Sequence, residues 1–216
     1  EIRAIILKNP PNRQGNPALA ERVSLKITIA PDAEPGRCEI RLRTPNGLSN
    51  PLVFCVGRLG EFSRPAAHPA GPEIDRLRKQ FGLPALTNDA TAGHRITLPV
   101  AVNGQILPGA VDRYRFTGRK GQDLVVAASA RTLIPYLADA VPGWFQATLA
   151  LRDAQGRELA YVDDFRFHPD PVLHCVLPHD GDYVIEIKDA IYRGREDFVY
   201  RLELGELPFV TSVFPL

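Results

Sequence analysis

The 216-residue sequence has no methionine, a single tryptophan and only three cysteines, and its apolar runs are short. The longest, such as LVVAASA (124–130) and VIEI (184–187), fall far below the roughly 18 residues that cross a bilayer as a helix. An excess of either charge is missing too. Lys and Arg number 26 against 25 Asp and Glu, a net charge of +1, so no strong field is available to draw nucleic acid or an anionic membrane. Cys38, Cys55 and Cys175 make no CxxC pair and no zinc spacing with the five histidines, which argues against a metal–thiolate site. HExxH, GxSxG, a Walker loop and a strand-bound GxGxxG are all absent, and nothing assembles a nucleophile with a base, so the chain reads as non-enzymatic. It opens at Glu1 without a basic-then-apolar leader and reads as part of a longer chain.

What is present is strand chemistry. At 44% apolar and 24% charged, the chain has the composition of a soluble globular protein with a real core. Residues 21–57 alternate with period two through Val23, Leu25, Ile27 and Ile29, turn at PDAEPG, and continue into EIRLRTPNGLSNPLVF, two strands joined at Asn46-Gly47. With Asn46 and Gly47 as the only loop residues, Cys38 lies opposite Cys55, where a cross-strand disulfide fits. The apolar pattern favours a different register. Ile40 and Leu42 share a face with Cys38, whereas Leu52, Phe54 and Val56 are out of phase with Cys55; a one-residue shift joins the apolar sets and sends the thiols to opposite faces. Cys175 keeps phase with Leu173 and Leu177 and reads as a buried thiol.

Composition changes at RPAAHPAGP (64–72), an extended linker. The spacing then predicts a brief helix from Pro72 to Gly82, with Ile74, Leu77 and Phe81 as its apolar stripe. From Ile96 to Leu204 about eight further strands follow, separated by GRKGQ, DAQG and PHDG turns. Tyr183, Ile185 and Ile187 share one inward face; Phe198, Tyr200, Leu202 and Leu204 share another. The expected fold is all-β, a jelly-roll-like β-sandwich plus a smaller partial immunoglobulin-like β domain.

The ordered motifs VDRYRF, GRKGQ, LALRDAQGRELAYVDD, LPHDGDYVIEI and FVYRLELG together resemble the bacterial pre-peptidase C-terminal domain, a β-sandwich found beside secreted proteases and in bacterial surface proteins. The stretch ITIAPDAEPGRCEIRLRTPNGLSNPLVFCVG resembles the latter half of an IPT/TIG domain, and ELPFVTSVFPL resembles the opening strand of another. These resemblances imply a partial IPT/TIG-like domain at 1–60, a linker with a short helix at 61–92, the sandwich at 93–206 and the start of a further domain at 207–216. They also imply a secreted or cell-surface bacterial location, a longer parent chain, and an extracellular protein or polysaccharide as partner. The orphan strand at 209–214 is expected to fill the open edge of the first sheet.

One acid stands out. Asp112 shares the inward face of its strand with Tyr114 and Phe116, and a carboxylate pointing into a core needs backbone donors, an arginine or a cation. In the collagen-binding relatives of the family calcium sits near the domain start, which implies Asn88, Asp89 and Asp112 as ligands here. The relatives' additional glutamates are replaced by GLPAL, and a turn-capping or backbone-bonded Asp112 is the alternative. Asp163, Asp164 and Asp170 form a second acidic spot; His168, His174 and His179 lack an orienting carboxylate. Trp144 and Phe145 follow Pro-Gly and read either as exposed contact aromatics or as a plug for one end of the sandwich.

Overall fold

The computed structural model describes residues 25–64, 93–134, 145–195 and 197–210. The chain divides into two compact units, 1–34 and 35–216. Of the first, residues 25–34 are described, and they form no strand: Leu25, Ile27 and Ile29 are each about half exposed, and the only regular feature is a turn in which the Ala33 amide donates to the Ala30 carbonyl at 3.0 Å. The expected strand through this stretch is therefore corrected. Alternation decides which face of a strand would be buried, but the strand itself requires a ladder partner.

The second unit opens with a hairpin of β1 (Gly36–Ile40), β2 (Arg43–Thr44), β3 (Gly47–Leu48) and β4 (Leu52–Val56). Its two-residue turn is Pro45-Asn46, one position earlier than the Asn-Gly signal places it, because Thr44 pairs with Gly47. Beyond the turn β1 and β4 pair Cys38 with Phe54 and Arg37 with Cys55, the register that the apolar pattern favours. Both cysteines are free, on opposite faces of the ribbon.

The remaining strands make two five-stranded sheets. The first holds, in order, β11 (Glu158–Val162), β10 (Ala147–Asp153), β13 (Gly181–Asp189), β8 (Asp112–Gly118) and β6 (His94–Arg95). In the second the order is β12 (Val172–Val176), β9 (Asp123–Ser129), β14 (Val199–Gly205), β7 (Val100–Gln105) and β5 (Gly60–Ser63). The pairs are antiparallel except at one edge, where β5 runs parallel to β7 and β6 parallel to β8. Residues 61–63, expected in the linker, thus form an edge strand. Inward residues of both sheets share one core, with Tyr114, Phe116, Leu149, Ile185 and Ile187 from the first sheet and Val126, Leu173, Phe198, Leu202 and Leu204 from the second side. Burying each aliphatic or phenylalanine side chain contributes about 1.5–3 kcal/mol.

The topology is polarised. Four short connections, 96–99, 119–122, 154–157 and 177–180, lie at one end of the sandwich. At the other end are the strand ends linked through 64–93, 106–111, 130–146, 163–171 and 190–198, and each of these five links joins a strand to the one holding the same place in the order of the opposite sheet. At the tight-turn end the left-handed backbone falls on Gly121 and Gly156, as chain sterics favour. At the loop-bearing end it also falls on Arg166, Phe167 and Tyr192.

Candidate binding surface at the loop-bearing end

Beneath the loops, the start of β8 turns Asp112 inward, and two donors meet it. The Arg64 guanidinium, just past the end of β5, pairs with Oδ1, and the Tyr200 hydroxyl from β14 donates to Oδ2 at 2.6 Å. The Tyr114 hydroxyl is bonded to that of Tyr200; because Tyr200 spends its proton on the carboxylate, Tyr114 is the donor. Burial pushes both phenols above their ordinary pKa, Tyr200 well above, which keeps these protons in place. Phe62 and His94 pack against Tyr114 and close the network from the β5–β6 edge, with burial and then Arg64 lowering the His94 pKa. Of the three kinds of partner that an inward carboxylate requires, Asp112 therefore has an arginine. Donors occupy both of its oxygens, an environment that fits a guanidinium and opposes a calcium ion. Asn88 and Asp89 lie outside the described residues, and among the described residues no three of His, Cys, Asp or Glu converge as metal ligands.

Two further buried acids hold this end together. Asp189, fully buried at the end of β13, accepts from the amides of Gln146, Ile191 and Arg193 and from the Arg193 guanidinium. Asp170 accepts from the amides of Arg131 and Thr132 and from the Thr132 hydroxyl at 2.6 Å. Their role is to satisfy backbone donors of the loops. The acidic spot is thereby divided: Asp170 is buried and bonded, whereas Asp163 and Asp164 are exposed.

The outer surface is formed differently. Phe165 and His168 exchange two backbone bonds, both 2.9 Å, around a two-residue tip, Arg166 (φ 52°) and Phe167 (φ 66°). Positive φ at both central positions is what a type I′ hairpin turn requires, and Asn-Gly is the sequence that supplies it at low cost. Two ordinary side chains there cost roughly 1–2 kcal/mol each. Phe167 makes no return among the described residues, since it is completely exposed, at 102%. Tyr192 (φ 59°) and its neighbour Ile191 are exposed on the 190–198 connection of the same end.

The other sequence candidates distribute as follows. His168 accepts the Asp170 amide on Nδ1 at 3.2 Å; His174 points outward from β12, pairs with Asp123 and stacks on Phe209; His179 stacks on Tyr183 at the tight-turn end. The acid that orients His174 belongs to the neighbouring strand, so sequence proximity did not reveal it. Phe145 is buried against Phe198, with ring centroids 5.2 Å apart, while Trp144 lies outside the described residues. Phe209 packs on Phe165 and His174 rather than in a sheet, and residues 211–214 lie outside the described residues. Cys175 is half-buried against the core, with its thiol pKa raised by burial. Sequence reasoning missed Arg64 and Phe167: the first sits in a stretch read as linker, and the second lacks the Asn-Gly cue of the turn it occupies.

The fold and its polarised loops define an all-β, two-sheet, jelly-roll-like sandwich. No family model matches the chain. Over 83 residues it is 39% identical to a probable subtilase-type serine protease of Deinococcus radiodurans, a match spanning 38% of this chain and 10% of that protein's length. Among solved structures, the pre-peptidase C-terminal domain of a Bacillus anthracis collagenase is similar at a TM-score of 0.36 with 16% identity, over 52% of this chain and 93% of that one. The Salmonella Typhimurium periplasmic inhibitor of g-type lysozyme is similar at a TM-score of 0.35 with 19% identity, over 53% of this chain and 98% of its own.

Proposed function

We propose that the chain is a non-catalytic accessory region of a larger secreted or cell-surface bacterial protein, serving a protease-like parent as spacer, stabiliser or adhesive module. The observation that carries this reading is the 83-residue match to a protein named as a subtilase-type protease, confined to a tenth of that protein's length. Such a proportion suits an appended module. In this reading residues 1–60 derive from an IPT/TIG-like domain and 207–216 begin another, with Gly60–Ser63 contributed to the neighbouring sandwich. The test is to delete the matching stretch from the Deinococcus relative and to assay the present chain alone on casein. Accessory status requires that the deletion spare hydrolysis of a small peptide substrate and that the isolated chain leave casein intact; either result reversed overturns it.

A second reading, a binding module for collagen-like or polysaccharide material, is favoured by the exposed Ile191 and Tyr192 at the loop-bearing end. Sedimentation with insoluble collagen, chitin and cellulose checks it. Retention no greater than that of a bland control protein removes it.

A further inference from the structure

We propose that the Phe165–His168 hairpin is a protein-docking anchor, in which Phe167 enters an apolar pocket with a basic rim on a partner protein. This goes beyond both readings above and depends on neither. The same chain follows the glycine rule at its tight-turn end, at Gly121 and Gly156, and breaks it at Arg166 and Phe167. Backbone strain with no return among the described residues points to a return from outside. Phe167 is completely exposed, so no contact among the described residues repays its conformation. The turn beneath it is closed, because the amides and carbonyls of Phe165 and His168 are spent on each other, and Phe165 contacts both Arg166 and Phe209. An aromatic carried on a turn already closed by hydrogen bonds loses little backbone freedom on binding, which suits a hot-spot residue.

The flanks select the partner. Asp163 and Asp164 are exposed and have no ion-pair partner among the described residues, while the Arg166 guanidinium folds back over the Phe165 ring at 5.3 Å. The segment therefore presents an exposed apolar ring and, three and four residues before it, two carboxylates without an ion-pair partner among the described residues. Acidic flanks oppose an anionic membrane. A sugar platform would be a flat ring lying among free hydrogen-bonding groups, and this ring stands clear of a turn whose backbone groups are already paired.

The experiment places the photocrosslinking residue p-benzoylphenylalanine at position 167 of the whole chain in its producing cells, then purifies any crosslinked protein and measures its affinity for the wild type and for Phe167→Gly. We expect one partner protein, bound at least about tenfold more weakly by Phe167→Gly and more weakly still as salt is raised. The melting temperature of Phe167→Gly is expected to equal or exceed that of the wild type, since glycine accepts positive φ. A lower melting temperature assigns the ring to the fold and overturns the proposal. So does a crosslink to lipid, polysaccharide or a second copy of the chain, a partner whose affinity ignores Phe167, or no crosslink at all.

Discussion

Arg64 and Asp112 form an ion pair that joins the end of β5 to the start of β8 across the open edge of the sandwich, with the carboxylate buried and the guanidinium mostly so. Removing one member leaves the other charge buried and uncompensated. Arg64→Ala is expected to cost about 3–5 kcal/mol in chemical unfolding, and a chain trimmed to start at residue 93 should lose at least as much, because β5 goes as well. Replacing both residues, as in Arg64→Met with Asp112→Leu, should recover most of the loss. A loss below about 1 kcal/mol for Arg64→Ala, the level of a surface pair, would remove the buried-pair assignment.

The pairing also bears on metal binding. With donors on both oxygens of Asp112, melting in excess EDTA and in millimolar calcium should coincide. A clear calcium-dependent rise would mean that a cation binds the native state, and Asn88→Ala, Asp89→Ala and Asp112→Asn would then be compared for loss of that rise.

Gly104 on β7 makes room for Tyr200. A β-carbon there would stand 2.3 Å from both the ring and the hydroxyl of Tyr200. Gly104→Ala should therefore cost on the order of 1–3 kcal/mol through overpacking. Because the hydroxyl is part of the clash, the penalty should be smaller in a Tyr200→Phe background, and a double-mutant cycle reads that coupling directly. Strict additivity would show that Tyr200 is not what limits the site.

Alkali should act on the same network. Burial holds the pKa of Tyr114 and Tyr200 above the ordinary value of 10.0. A folded-state pKa above the unfolded one gives stability that is complete below the unfolded value and is lost as pH rises through the folded value. Unfolding free energy should accordingly hold up to pH 10 and fall beyond it. Tyr114→Phe with Tyr200→Phe should flatten that fall, and an unchanged alkaline limb would place its cause elsewhere.

β8 and β13 were legible because each alternates and each adjoins a turn with its own chemistry. Tyr183, Ile185 and Ile187 are all fully buried, and GRKGQ, DAQG and PHDG all turn. The inward direction of Asp112 was legible by the same rule, and the need for a counter-group followed from it. The counter-group itself was not, since Arg64 reaches Asp112 through a parallel edge strand, and parallel pairing leaves no local mark in the sequence. The hairpin shows the opposite case. Asn46-Gly47 is a strong turn cue, yet the turn is Pro45-Asn46, and β1 and β4 take the register that aligns their apolar residues, Ile40 with Leu52. At Phe167 local preference misleads altogether, because the backbone there adopts what an Asn-Gly pair would adopt.

The five cross-sheet connections give the sandwich a modular consequence. Each begins and ends on strands that already face one another, so lengthening one leaves the spacing of its two anchor points unchanged, and loop closure grows only slowly costlier with length. Insertions placed away from the bases of these segments can then vary above a floor in which Asp112, Asp170 and Asp189 tie the bases together. The molecule is in that sense a display frame, on which new recognition sequences grafted at one end would leave the tight-turn end, and the folding determinants it contains, untouched.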